Sequence, residues 1–133
     1  MKVYRSILLD ENENVNTDNL GCSWTLCSVF AENHAKDINR AVGKGGFLIL
    51  EAEINSDSID FDNTLFAMEN RDYEYEVVLT GQVSASVYGV FGIDFDDSQV
   101  FEGEAGDNNF EDYCETYEGD LTQEDFLALA SDF

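Results

Sequence analysis

Apolar positions change their period several times along this chain. Val3 to Leu9 is a short apolar run that predicts a strand, closed by the polar run Asp10 to Asn19, whose Asn and Asp side chains favour turns. A second short element ends at Ser23-Trp24-Thr25. From Ser28 to Asn39, Phe30, His34 and Ile38 recur every four residues with Ala31 and Ala35 beside them, the spacing of an amphipathic helix. Gly43, Gly45 and Gly46 interrupt the chain before Phe47 to Ile54, whose continuously apolar centre predicts a strand buried on both faces. Asp57 to Phe66 reads as a turn and a short connection. Tyr73 to Leu79 alternates, placing Glu74 and Glu76 on one face of an expected strand and Tyr73, Tyr75 and Val77 on the other. Val83 to Ile93, rich in Val, Tyr and Phe, supplies one or two further strands. Thr122 with Asp125 forms a helix-capping signal ahead of Phe126, Leu129, Ala130 and Phe133 on one face of a closing helix.

These elements predict a single α+β domain over residues 1–133, strand-rich in the middle, with residues 81–133 contributing strands and an acidic, aromatic-rich C-terminal portion. A content of 44% hydrophobic and 13% aromatic residues provides a core, so the acidity rides on a folded body. No apolar run reaches the ~20 residues a bilayer span requires, and Met-Lys-Val-Tyr-Arg leads into no secretory segment. The expected location is therefore a cytoplasm, that of the host cell if a phage encodes the chain. Cys22, Cys27 and Cys114 lack the paired spacings of a zinc site and read as small hydrophobes. His34, the one histidine, falls on the expected apolar stripe, which favours a core or boundary role. Asp94, Asp96, Asp97, Glu102 and Glu104 lack the central glycine of a calcium-binding EF-hand loop, so no metal is expected.

Charge narrows the partner. The chain has 29 acidic and 6 basic residues, a formal net charge of -23, and all of the cations lie before position 72. A field of that sign repels nucleic acid and anionic membrane and draws in proteins with basic surfaces.

Three local features carry candidate chemistry: Tyr4-Arg5 on the first strand, Ser23-Trp24-Thr25 after the polar loop, and Glu74-Tyr75-Glu76 opening an apolar run. In this order, with an Ala-containing helix and an apolar strand between the last two, they resemble the arginine-serine-glutamate class of mono-ADP-ribosyltransferases over about residues 3 to 80. The resemblance implies an ADP-ribosyltransferase-like split sheet, with NAD as substrate, Arg5 holding its phosphates, and Ser23 and Thr25 bracing the site. It further implies catalytic roles for Glu76 at the ribose and for Glu74 at an arginine acceptor, with Ser23 orienting Glu76. Ser6 stands where the family usually has glycine. The residue types suit this chemistry: a guanidinium fork binds pyrophosphate bidentately, and a carboxylate stabilises the positive charge that develops at a ribosyl centre.

Two functions follow as expectations. One is a small mono-ADP-ribosyltransferase that modifies a basic, nucleic-acid-binding target protein, in the setting of phage takeover of a host or evasion of its defence. The other is a non-enzymatic, acidic DNA mimic, in which the carboxylates of residues 94–125 occupy the nucleic-acid-binding groove of such a protein.

Overall fold

The computed structural model describes residues 1–9, 12, 14–42, 46–106 and 114–133, of which residues 38–42 by backbone alone. Among these, the strands Lys2–Leu8 (β1), Ser23–Thr25 (β2), Phe47–Glu53 (β3), Glu76–Val78 (β4), Gln82–Phe91 (β5) and Val100–Glu104 (β6) form one antiparallel sheet in the order β4-β2-β1-β3-β5-β6. Three helices accompany it, Ser28–Val42 (α1), Phe61–Asn70 (α2) and Gln123–Ala130 (α3). The result is a single α+β domain. The expected split sheet is replaced by a continuous one, because β1 is paired on both sides, with β2 at Tyr4 and Thr25 and with β3 along its whole length.

The apolar run at Phe47 makes β3 an interior strand buried on both faces. Leu48, Leu50 and Ala52 join the main core with Val3, Trp24, Val77, Leu79 and Phe126, while Phe47 and Ile49 are buried on the alternate face. In α1 the buried positions are Ala31 and Ala35 rather than His34, which is exposed and stacks on Phe30 with ring centroids 6.0 Å apart. Small side chains let this helix lie close over β1, β2 and β3. The expected stripe position Ile38 and the glycines Gly43 and Gly45 lie outside the described side chains or residues.

Helix α2 stands where a turn and short connection are expected over residues 57–66. Asp60 caps the helix by accepting from Asn63 N at 3.2 Å, and two of its buried positions are polar, Asn63 and Thr64. Both serve the neighbouring backbone. Thr64 Oγ1 accepts from Val78 N at 3.0 Å and Asn63 Oδ1 accepts from Cys114 N at 2.9 Å. The Thr64 bond, with Asp60 N donating to Val78 O at 2.8 Å, covers the outer edge of β4, which would otherwise offer unpaired donors and acceptors. At the opposite edge of the sheet the chain around Thr17 to Leu20 takes the same role for β6 at Glu104. The capping box at Thr122 and Asp125 forms as expected, and it starts α3 so that Phe126 enters the core, its ring edge-on to Phe61.

Candidate functional site

Ser23, Trp24 and Thr25 divide their work by strand alternation. Trp24 faces the core and donates from Nε1 to Gly21 O at 2.8 Å, which accords with a structural role. Ser23 and Thr25 point the other way. The Ser23 hydroxyl donates to Glu76 Oε1. Thr25 Oγ1 donates to the main-chain carbonyl of Glu74 at 2.8 Å and accepts from Cys27 N at 3.1 Å, tying β2 to the segment that leads into β4 and to the start of α1.

That segment departs from the sequence expectation. Asp72–Glu74 is a 3-10 turn and the strand begins only at Glu76, so Glu74 and Glu76 do not alternate along one strand. Tyr75 between them has φ 50 and ψ 40, the left-handed conformation, which non-glycine residues seldom adopt. It is held there by its surroundings: its carbonyl accepts from Leu26 N at 3.0 Å, and its ring meets Phe133 edge-on at 5.0 Å. The kink turns both carboxylates toward one cation. Arg71 Nε lies 3.2 Å from Glu74 Oε2 and Arg71 Nη2 lies 3.1 Å from Glu76 Oε2. Glu76 is thus gripped from two sides, by the Ser23 hydroxyl and by Arg71.

Arg5 reaches the site by a different route. Tyr4, Thr25 and Glu76 are successive cross-strand partners, so Tyr4 shares their face and Arg5 leaves from the other one, opposite Leu50. Its guanidinium lies against Gly21, whose φ of +93 and lack of a side chain both matter: a Cβ there would occupy the place of the guanidinium. Nη1 donates to the carbonyl of Ser23 at 2.5 Å, while Nε is buried with no hydrogen-bond partner. Burial depresses the pKa of Arg5, an effect that Cys22 and Glu76 oppose, and burial raises that of the neighbouring Cys22 thiol. A cation stripped of water with an unsatisfied donor favours an anion.

All five residues singled out from the sequence, Arg5, Ser23, Thr25, Glu74 and Glu76, line one cavity of about 410 Å³, a volume in the range of small-molecule sites. Phe30 and His34 of α1 line it too, so His34, expected in a core or boundary role, is exposed and borders the cavity. Arg71 is not among the residues expected from the sequence. The signal was present, since Arg71 is the only cation after Lys44 and stands three residues before Glu74. Among the described residues no cluster of three or more potential metal ligands occurs, and no helix is long and apolar enough to cross a membrane.

Comparisons with models of protein families, with curated proteins and with solved structures find no match to the chain.

Proposed function

We propose that the chain is a mono-ADP-ribosyltransferase-like protein that uses NAD to modify arginine on a basic, nucleic-acid-binding target. The observation that carries this reading is the convergence of Arg5, Ser23, Glu74 and Glu76, from three separate segments, on one cavity. The donor set suits the ligand: the orphaned Nε of Arg5 provides for an anionic phosphate, and a carboxylate already oriented by a serine hydroxyl provides for a ribose. NAD would supply a ribosyl carbon that gains positive charge as nicotinamide leaves. Glu76 would stabilise that charge electrostatically, Ser23 would fix the carboxylate, and Glu74 would meet the acceptor guanidinium. Such a protein suits a phage acting in the cytoplasm of its host. The test is transfer of label from NAD to protein in a lysate of the presumed host. Wild type should label an acceptor and Glu76→Gln should reduce labelling at least about 100-fold, as loss of a transition-state charge partner does. Equal labelling by both proteins would overturn the reading.

A second reading is favoured by one specific observation: every described carboxylate from Asp94 onward is exposed, and no cation accompanies them. An acidic DNA mimic would present such a surface to the groove of a nucleic-acid-binding protein. Asp107, Glu111 and Asp112, counted in that surface from sequence, lie outside the described residues. Inhibition by mimicry would survive Glu76→Gln and weaken steeply with salt, whereas salt-insensitive binding would exclude it.

A further inference from the structure

The guanidinium of Arg71 already sits where an acceptor arginine would go. Its fork spans both candidate carboxylates, with Nε 3.2 Å from Glu74 and Nη2 3.1 Å from Glu76, and this arrangement depends on the left-handed Tyr75 that turns the two side chains together. A pair of carboxylates spaced for one planar fork is a guanidinium site, since an ammonium meets it only as a point charge. The side chains of Arg71, Glu74 and Glu76 are 27%, 28% and 10% exposed, so the pair is partly shielded and open to solvent on one side. The backbone of Arg71 ends α2, its N–H donating to Ala67 O at 2.6 Å, so Arg71 approaches the pair from a different element than β4.

We infer that Arg71 is an internal competitor that fills the Glu74–Glu76 fork in the resting protein, and that an arginine of the target displaces it on binding. Occupancy from within raises the affinity a target must bring, because an incoming guanidinium gains only the difference between its own contacts and those of Arg71. It also keeps the two carboxylates paired until a partner arrives, which suits a site whose substrate class is a basic protein surface. The inference rests on the transferase reading only for what the displacing arginine does next. The competition itself requires no NAD.

The test follows binding of Nα-acetyl-arginine amide to the full chain without NAD, read from the amide shifts of Tyr75 and Glu76. Arg71→Ala should bind this probe more tightly than wild type by up to about fivefold, the order expected for removing one partly exposed ion-pair competitor. Nα-acetyl-lysine amide should show no such gain, and adding Glu74→Gln to Arg71→Ala should abolish it. If Arg71→Ala gives no dispersed spectrum, Arg71→Lys keeps the charge but not the fork and should shift the affinity in the same direction. Unchanged or weaker probe binding in the folded variant overturns the inference. Failure of the transferase reading would appear instead as absent label transfer with the affinity gain intact.

Discussion

At the level of single residues, burial next to Arg5 makes Cys22 a pH-sensitive point in the fold. The thiol is buried, and that burial raises its pKa above the ordinary value, with Arg5 opposing the shift. A group whose folded pKa is raised favours the protonated form in the native state. Its contribution to stability is complete below the unfolded thiol value of about 8.5 and is lost as pH rises through the folded value. Unfolding free energy from urea titrations should therefore fall as pH rises above about 8.5, and the fall should be shallower in Cys22→Ala. An identical pH slope in the two proteins would show that the thiol titrates alike in the folded and unfolded states. Tyr4, whose hydroxyl is also raised by burial and by Glu51, adds to the alkaline loss in both proteins and cancels in the comparison.

At the level of elements, α2 shows how a polar residue can matter more than an apolar one of the same shape. Thr64 is fully buried, and its hydroxyl is the acceptor for the Val78 N–H at the edge of β4. Thr64→Val keeps the volume and leaves that donor unpaired, an expected cost of about 1–3 kcal/mol. Thr64→Ser keeps the acceptor and loses a methyl group, with an expected cost of about 1 kcal/mol. Urea denaturation should thus rank serine above valine, the reverse of their hydrophobicity. The same residues explain why α2 was illegible in the sequence. Asn63 and Thr64 occupy two of its four buried positions and break the apolar stripe that marks a helix, because what they satisfy lies across the chain at Cys114 and Val78. By contrast, α3 was readable because its cap and its core residue are local, Thr122 and Phe126. The β3 strand was readable because burial on both faces leaves a continuous apolar run. The candidate residues Arg5, Ser23, Thr25, Glu74 and Glu76 do share a cavity, but the geometry among them was not legible. A strand period cannot foresee the left-handed Tyr75, and no local pattern shows that Arg5 leaves the opposite face from Glu76.

At the level of the whole molecule, the net charge of -23 sets the fold and its site against each other as ionic strength changes. Few described contacts offset the self-repulsion: the N-terminal amine with Glu53 at 3.1 Å, Lys2 with Glu51 at 3.7 Å, and Arg71 with Glu74 and Glu76. Screening shortens from about 30 Å at 0.01 M salt to about 8 Å at 0.15 M, so it removes long-range repulsion among the exposed carboxylates before it affects pairs in contact. Raising NaCl from 10 to 150 mM should therefore raise Tm, by at least about 3 °C if the relief reaches roughly 1 kcal/mol. A fall in Tm would mean that the few ion pairs outweigh the repulsion. Binding of a basic partner should move in the opposite direction, because the same screening weakens attraction between opposite surfaces. A salt titration that follows Tm and partner binding on one sample therefore separates the two: loss of binding while Tm climbs identifies an electrostatic encounter with a folded protein, and cannot be attributed to unfolding.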